Sequence, residues 1–423
     1  MKKYLLFLSL FLIGIAMVGC DFYGSTTQPI TTEVETTEPS EWLTISNESE
    51  LRAMDVTKSY QLTADIDLNG AEWDPIGSAS DPFIGWFDGD NHTISNYVIT
   101  DKNGNYNGLF GVATGNIFNL TVSNFTISYS TDFMTYAGGL VGHMTGDITD
   151  VTVSGNITIS NISSNTYAGL LVGFHSAYLT STMTVSDFKA SNIIDVSSTG
   201  TIDVNSKNFT YVGGLVGKTY NVHIENASSN SIISAVSQKY RVFAGGLVGH
   251  NYSGILMSYE SVVDSTEITI ESSYANTDIT LPNNGSWTTA GGLIGYNQYG
   301  VIIDSFALSN IHLASDDHAY IGGLIGDDWN GKVISSVVVT NVFVTDDETE
   351  TSSLSVSGLM GSINDQTVVE NGFYILQYSG IPIVTLGTIA SIDNITSVSW
   401  YQTTLLWEDL DFITLAINQL TQE

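Results

Sequence analysis

The sequence predicts an all-β fold, a right-handed parallel β-helix with a short helical N-terminal cap and an irregular C-terminal cap. Three observations lead to this prediction. A Gly-Leu-x-Gly word occurs eight times, seven times exactly and once in altered form at residues 169–173, the runs between its copies are rich in β-branched residues, and glycines punctuate the runs. Of the 423 residues 43% are hydrophobic and only 13% are charged, so the chain is too apolar to be a disordered acidic polymer.

The N-terminus predicts a bacterial lipoprotein signal peptide. Two lysines open it, an apolar stretch follows, and a glycine precedes Cys20, the only cysteine of the chain. The apolar stretch is shorter than the roughly 20 residues that span a bilayer as a helix, which favours cleavage. Residues 17–20 resemble a lipobox. We therefore expect a signal peptide over residues 1–19 and a lipid on Cys20; the alternative is an ordinary signal peptide with an incidental cysteine.

The next segment predicts a flexible tether. Residues 20–41 are rich in threonine, proline and glutamate and contain few large apolar side chains, so they cannot form a core. The folded part then divides into an N-terminal cap with the first rungs over residues 42–107, the repeats over residues 108–375, and a C-terminal cap over residues 376–423.

The repeated word defines the rungs of the predicted helix. Its copies lie about 31 residues apart, with two longer intervals. A turn, a second β-run and a third short run follow each copy, which is the pattern of a three-stranded rung. A β-propeller is the alternative, but its hairpin turns do not recur in every unit. We expect the leucines of the word to stack in one buried column. The last glycines of the eight words are Gly111, Gly142, Gly173, Gly217, Gly249, Gly295, Gly326 and Gly361.

Both ends of the solenoid need covers, since an open rung exposes unpaired backbone. Residues 46–51 predict a short helix with an N-cap and acidic residues in its first turn, from which Leu51 and Met54 can pack on the first rung. Residues 400–420 depart from the repeat and are rich in large apolar side chains. We expect them to lie across the last rung.

The sequence resembles the GLUG-motif repeats of bacterial cell-surface proteins, adhesin-like chains and the non-catalytic regions of some IgA-cleaving metallopeptidases. The eight Gly-Leu-x-Gly words carry the resemblance, together with residues 60–68, 75–77 and 83–89, which resemble the segment that precedes such repeats. The match spans roughly residues 42–410. It implies a β-helix displayed outside the cell, and it implies no activity.

Composition and motifs exclude two functions. Eleven Lys plus Arg against 44 Asp plus Glu give a net charge of −33, which repels nucleic acid. None of the seven histidines is followed by glutamate, which excludes a His-Glu-x-x-His metallopeptidase. A polysaccharide lyase or hydrolase on the same scaffold remains the rival reading, so enzymatic activity stays uncertain, although we expect none and name no catalytic residue.

Several residue groups resemble parts of a site and are interpreted structurally. Asp150 and Asp304 occupy equivalent positions in their units, where Asn119 and Ser335 also stand, so we expect an Asn/Asp/Ser ladder along the stack. The residue after the last glycine varies from His143 and His250 to Lys218, Tyr296, Asp327 and Ser362, which predicts an exposed corner. His312 and His318 near Asp316 and Asp317 predict a solvated turn more than a metal site.

Paired acids are the remaining candidates for ion binding. Carboxylates and turn carbonyls could hold adventitious Ca²⁺, but the Gly-Gly-x-Gly-x-Asp nonapeptide of calcium-binding β-rolls is absent. We therefore expect no cofactor and no dedicated metal site. The pairs are Asp65/Asp67, Asp88/Asp90, Asp316/Asp317, Asp327/Asp328 and Asp346/Asp347.

The two long intervals predict the binding surface, because insertions in repeat proteins map to one face. In the unit that starts at Gly249, residues 255–268 are inserted at one corner. The unit that starts at Gly173 aligns through residues 191–193 with residues 309–311, which gives about four extra residues at the same corner and nine later. Tolerated loop growth is the alternative. The aromatic residues expected near this surface are Tyr178, Tyr252, Tyr259 and Trp287.

Together these features predict an acidic, extracytoplasmic bacterial lipoprotein, attached to the membrane through its lipid alone. Its β-helix would act as an adhesin-like module that binds a glycan or a surface protein.

Overall fold

A computed structural model describes residues 38–100, 105–177, 189–256, 262–263, 268–282, 287–314, 318–345, 354–378 and 387–405. The predicted signal peptide, Cys20 and most of the predicted tether lie outside these residues. The described chain is almost entirely β-structure, wound as a parallel β-helix as the sequence predicts.

Each of eight rungs contributes to three sheets, in which strands of successive rungs pair in parallel. We number the rungs one to eight by the last glycine of their words, from Gly111 to Gly361. The first sheet contains Tyr106–Asn107, Thr135–Gly138, Thr166–Gly169, Thr210–Gly213, Arg241–Gly245, Trp287–Gly291, His318–Gly322 and Leu354–Ser357. The second sheet contains Phe110–Ala113, Val141–Met144, Val172–Ser176, Val216–Tyr220, Val248–Tyr252, Ile294–Gln298, Ile325–Trp329 and Met360–Ser362.

The third sheet has 19 strands and forms the longest side of each rung. Its strands are Leu43–Ile45, Tyr60–Leu62, Ile66–Asp67, Phe87–Asp88, Thr93–Ser95, Val98–Ile99, Ile117–Thr131, Ile148–Asn161, Ser191–Ser206, Val222–Ser237, Thr269–Glu271, Tyr274–Leu281, Val301–Ile303, Phe306–Ala314, Lys332–Ile334, Val337–Thr345, Val368–Glu370, Phe373–Tyr378 and Thr388–Ile389. The other elements are the antiparallel pair Ile255–Leu256 and Val262–Val263, the α-helices Glu48–Arg52, Ile392–Ile395 and Val398–Trp400, and the π-helix Tyr401–Leu405.

The leucines of the repeated word form the predicted buried column between the first and second sheets. From rung two onward, each leucine N–H donates to the leucine carbonyl of the next rung at 2.8–3.0 Å. In rung three Leu171 takes this position, and Leu170 replaces the first glycine of the word, which is Gly139 in rung two. The leucines are fully buried, so the column anchors the hydrophobic core along the helix axis. Its members are Leu140, Leu171, Leu215, Leu247, Leu293, Leu324 and Leu359.

The last glycine of the word lets two backbones approach closely. A Cβ atom at Gly217 would lie 2.6 Å from the backbone nitrogen of Ala168 and 2.6 Å from the carbonyl oxygen of Gly173. Ala168 belongs to the first sheet and Gly217 to the second. The word therefore ends in glycine because a side chain would push the two sheets apart.

Each third strand bends at one equivalent position, where the backbone is left-handed; in rung one Asn124 is a second left-handed residue, at φ 53°. The φ values there lie between 46° and 56°. Asn and Asp adopt this region more readily than other residues with a side chain, because a short polar side chain can bond locally. The equivalent positions of the predicted Asn/Asp/Ser ladder are therefore confirmed, and the bend explains them. The Asn226 side chain donates to Asp195 of the preceding rung, whereas bonding of all members along the stack stays a prediction. The positions are Asn119, Asp150, Asp195, Asn226, Ser272, Asp304, Ser335 and Asn371.

The N-terminal helix forms as predicted. Asn47 is its N-cap, and its side-chain oxygen accepts a hydrogen bond from the backbone N–H of Glu50 at 3.1 Å. Leu51 is fully buried and Met54 packs against the core. The helix thus covers the first turn of the solenoid with apolar side chains.

Of the predicted C-terminal cover, residues 400–405 are described and residues 406–420 lie outside the described residues. Trp400 packs edge-on against Phe373 of the last rung, with ring centroids 5.1 Å apart. Ile395, Tyr401 and Leu405 are buried against residues of rungs five to seven, on the outer face of the third sheet. The pairing of the strands explains this placement. One row of paired residues on the outer face of the third sheet, the outward column, changes from polar to apolar side chains at rung five. In chain order the column is Thr121, Thr152, Ser197, Ser228, Tyr274, Phe306, Val337 and Phe373.

Candidate functional site

Both long intervals of the repeat fall at one corner, between the second and third strands. In rung three the second strand ends at Ser176 and the third begins at Ser191; in rung five the interval runs from Tyr252 to Thr269. Rung four lies between them and turns directly from Tyr220 to Val222. We call residues 176–191, 220–222 and 252–269 the insertion corner.

The predicted alignment of rung three is wrong. Ile193 pairs with Ile148 and Ile224, so Ser191 opens the third strand and all extra residues of this rung lie at the insertion corner. The same polar–apolar alternation runs along the whole third strand, and a three-residue match therefore does not fix the register. The two insertions are consequently alike in position, with one rung between them.

The four predicted ligand-binding residues are dispersed. Tyr178 and Tyr259 lie outside the described residues. Tyr252 lies at the insertion corner, where its ring stacks on Tyr220 with centroids 4.8 Å apart and an interplanar angle of 2°. Burial raises the pKa of Tyr252. Trp287 lies on the first sheet instead, 44% exposed, and stacks on His318 at 4.7 Å. A ligand-binding role for these residues stays a prediction.

The residue after the repeat glycine is buried or half-buried in the second sheet, contrary to the predicted exposed corner. His250 and Tyr296 are 7% and 6% exposed, because their rings pack beside a column of aromatic residues on the first sheet. Burial lowers the pKa of His143 to about 4. Neighbouring rings in the column are 4.6–4.9 Å apart, so they cover each other's faces and present mainly edges to solvent. We call it the aromatic column: Tyr106, Tyr136, Tyr167, Tyr211 and Phe243.

Arg241 packs against the end of the aromatic column at Phe243. Its Nη2 lies 2.6 Å from Oδ2 of Asp327, and its Nε donates to the Thr289 hydroxyl at 2.6 Å. The guanidinium carbon lies 5.0 Å from the ring centre of Phe243 and 5.3 Å from that of Tyr296. This largely buried cation is therefore held by a carboxylate and two aromatic faces, and its partners are internal to the protein.

A buried polar column lies beneath the insertion corner, on the inner side of the second sheet. His175 is fully buried, its Nε2 lies 2.9 Å from the carbonyl oxygen of Gly146, and burial lowers its pKa to about 3. Along the same register, Asn251 donates to Asn297, which donates to the Asp328 carboxylate at 2.7 Å. Burial raises the pKa of Asp328. Thr219 extends this chain by donating to Asn251 at 2.7 Å, so the polar side chains of rungs four to seven bond to one another beneath the corner.

At least one carboxylate of each described acidic pair has a protein partner. The two carboxylates of Asp327 and Asp328 diverge, one to Arg241 and the other into the buried polar column. The pKa of Asp65 is lowered by hydrogen bonds from the Thr93 backbone N–H and from His92. Two of the pairs, over residues 316–317 and 346–347, lie outside the described residues. Adventitious Ca²⁺ binding stays an expectation.

Two carboxylates of neighbouring rungs lie in the bend ladder. Asp150 and Asp195 occupy the same bend position in rungs two and three, and Asp195 accepts a hydrogen bond from the Asn226 side chain. A depression on the third sheet is lined by polar residues of which Asp203 alone is acidic. Glycoside hydrolysis uses two carboxyl groups about 5–10 Å apart across a bound sugar. The bend ladder is thus the place where a catalytic pair would be sought.

The start of the third strand in rungs four and five brings three chemically active groups together. Nε2 of His223 lies 3.4 Å from Oε2 of Glu225 and 3.7 Å from Oε1 of Glu271. These side chains adjoin the insertion corner, since His223 follows Val222 and Glu271 lies just beyond Thr269. In contrast, His312 and His318 lie on different sheets, where His312 stacks on Phe343.

Sequence reasoning missed this group because an insertion separates its members along the chain. His223 and Glu225 are two residues apart, a spacing that places both on one face of a strand. Glu271 becomes their neighbour only through the pairing of Ile224 with Ile270. The signal in the sequence was the His223-x-Glu225 pattern, in which two polar residues alternate with apolar residues along a strand.

Comparison with known proteins identifies the repeat unit. The family model described as the GLUG motif matches residues 135–158. In the structure these residues run from the first strand of rung two, through the Gly-Leu corner and the second strand, into the third strand. One motif therefore corresponds to one rung.

Two curated proteins match short parts of the chain. Halomucin from Haloquadratum walsbyi is 37% identical over 94 residues, which cover 19% of this chain and 1% of halomucin. A proposed Gly-rich membrane protein from Evansella cellulosilytica is 33% identical over 85 residues, which cover 20% of this chain and 9% of that protein. The chain thus matches only a small fraction of the length of these relatives.

Among solved structures, a proposed immunoglobulin A1 protease from Bacteroides ovatus aligns with a TM-score of 0.42 and 19% identity. The alignment covers 78% of this chain and 84% of that one. In the described part of the chain, no helix has the length and apolar character needed to cross a bilayer.

Proposed function

We propose that this chain is a surface-displayed bacterial lipoprotein whose β-helix binds carbohydrate through the insertion corner. The observation that carries the proposal is the position of the two insertions. They interrupt an otherwise regular stack at the same corner, in rungs three and five, and they flank a single rung that turns directly from Tyr220 to Val222. Loops that share one face of a repeat protein form its usual binding surface.

The local chemistry supports a glycan. The stacked, half-buried rings of Tyr220 and Tyr252 lie at the ends of the second strands of rungs four and five, at the base of the insertion corner. Aromatic side chains combine apolar area with a polar tip at low entropic cost, which suits the mixed surface of a sugar. A surface protein is the other ligand class that the same corner could contact.

The surface location rests on three further supports. The N-terminal residues have the order of a lipoprotein signal, the GLUG motif covers one rung, and one relative is named as a membrane protein. The net charge of −33 keeps such a scaffold soluble and well separated from anionic surfaces.

The test measures binding and turnover on one polysaccharide panel. Purified chain carrying Cys20→Ser, which removes the only thiol, is applied to immobilised glycans, and reducing-sugar release is followed on the same glycans. The proposal predicts saturable binding to a subset of glycans without sustained release. Sustained release that Asp150→Asn or Asp195→Asn abolishes would replace the proposal with the polysaccharide-degrading enzyme.

A further inference from the structure

Two neighbouring strands place a group of polar side chains on the outer face of the third sheet. Ile224 pairs with Ile270, and both point into the core. Because side chains alternate along a strand, the residues on either side of each isoleucine point outward. His223 and Glu225 therefore lie beside Glu271, their neighbour on the next strand.

The three side chains converge on one point. The candidate ligand atoms all lie within 4.8 Å of one another. From Nε2 of His223 the distances are 3.4 Å to Glu225 and 3.7 Å to Glu271, which exceed the 2.7–3.2 Å of ordinary N–H···O hydrogen bonds. Two ligands of a tetrahedral ion at about 2.0–2.1 Å are about 3.3–3.4 Å apart. The 3.4 Å distance, which is also that of a long hydrogen bond, equals the spacing of two ligands around such an ion, and the 3.7 Å distance is slightly longer.

The imidazole is oriented from behind. Its other nitrogen, Nδ1, lies 2.9 Å from the hydroxyl oxygen of Thr269. A hydroxyl can accept the Nδ1 proton, which leaves the Nε2 lone pair directed at the two carboxylates. Histidine ligands of metals are generally fixed in this way by an outer partner on the second nitrogen.

The two glutamates need a positive partner. Glu225 and Glu271 are direct register neighbours on parallel strands, and like charges in that position destabilise a sheet. The next positions along the same row are Ile194 and Ile303, which contribute no charge. His223 is 16% exposed and Glu271 32% exposed, so water screens the pair only in part.

We propose that His223, Glu225 and Glu271 form a divalent metal site of the zinc class. One imidazole nitrogen and two carboxylate oxygens suit Zn²⁺ and its first-row neighbours, whereas Ca²⁺ and Mg²⁺ take oxygen ligands. Three protein ligands leave a coordination position open to solvent next to the insertion corner. The site stands independently of the glycan proposal, because metal binding is measured without any glycan.

The experiment is a Zn²⁺ titration of the full chain with Cys20→Ser, in competition with a chromophoric zinc indicator. We expect one Zn²⁺ per chain. Glu225→Gln, Glu271→Gln and His223→Asn should each weaken the affinity on the order of 100-fold or more, and Thr269→Val, which removes the outer partner, about 10-fold.

His92→Asn is the matched control, because His92 Nδ1 faces a single carboxylate, that of Asp65, at 3.2 Å. Its zinc affinity should be unchanged. The three ligand variants lie on the outer face of the sheet whereas Thr269 is buried, and circular dichroism checks that each variant retains its β-structure. Absence of Zn²⁺ binding, or binding that the three ligand variants leave unchanged, would overturn the proposal. Tighter binding of Ca²⁺ than of Zn²⁺ at Glu225 and Glu271 would overturn the zinc class.

Discussion

The ring of Tyr211 lies parallel to that of Tyr167, with centroids 4.6 Å apart and an interplanar angle of 6°. Tyr136 and Phe243 continue the stack in the two directions along the axis, and the aromatic column therefore links successive rungs outside the main core. Repeat proteins derive much of their stability from such contacts between neighbouring units.

We predict that Tyr211→Ala lowers the free energy of unfolding by about 3–5 kcal/mol, because it opens a cavity within the column and removes two stacking partners. Tyr106→Ala should cost less, since Tyr106 ends the column and is partly exposed. Urea unfolding followed by circular dichroism measures both. Equal losses would show that the rings act separately and not as a column.

Replacing a repeat glycine by alanine should destabilise the protein more than replacing a glycine outside the word. Gly217→Ala places a Cβ 2.6 Å from two backbone atoms, so we expect a loss of about 1–3 kcal/mol. The control is Gly254→Ala, whose Cβ would meet only tyrosine side-chain atoms at 3.4 Å or more. Its effect should stay within about 1 kcal/mol. Similar thermal midpoints for the two variants would contradict close packing of the sheets.

The buried His175 predicts a pH dependence of stability. Its pKa is near 6.5 when unfolded and falls to about 3 when folded, so the unfolded chain binds the extra proton first. The stability that this histidine contributes is therefore fully present above pH 6.5. It declines by about 1.4 kcal/mol per pH unit as the pH falls toward 3. In His175→Gln, whose side chain can still donate to the Gly146 carbonyl, the free energy of unfolding should fall less steeply with decreasing pH. Parallel slopes of the two proteins between pH 6 and 4 would refute it.

The lipid anchor is tested on Cys20. If the lipid holds the protein to the membrane, Cys20→Ala should move it from the membrane fraction to the soluble fraction, because the tether alone has no membrane affinity. Fractionation and immunoblotting of expressing cells measure the distribution. An unchanged membrane fraction would refute lipid anchoring at this residue.

Much of the fold was predictable because the repeat can be recognised directly in the sequence. The leucine column and the bend ladder follow from single residues that recur once per rung. Asn119, Asp150 and Asp304 could be grouped from spacing alone, although the left-handed φ that explains them appears only in the structure.

Three features could not be predicted, each for a physical reason. The enclosure of His250 depends on how far the first and second sheets fold toward each other, which glycine spacing does not specify. The C-terminal segment covers the outward column that contains Phe306 and Val337. In the sequence, apolar residues at these positions could equally indicate a strand that is buried on both faces. The group at His223 and Glu271 requires the register across an insertion, which only the pairing of the strands supplies.

The insertion corner is the centre of the functional account, and one measurement tests it most directly. Residues 255–267 are replaced by a short Gly/Ser linker, which keeps Gly254 and the buried Ile268 in place. A matched control shortens residues 346–353, which connect the third strand of rung seven to the first strand of rung eight. Binding of both variants to the glycans recognised by the intact chain is then compared.

We predict that the first variant keeps its thermal midpoint within a few degrees but loses glycan binding, because a surface loop contributes little to stacking between rungs. The control should bind like the intact chain. Full binding by the variant that lacks residues 255–267, or loss of binding only in the control, would contradict the assignment of the insertion corner as the binding surface.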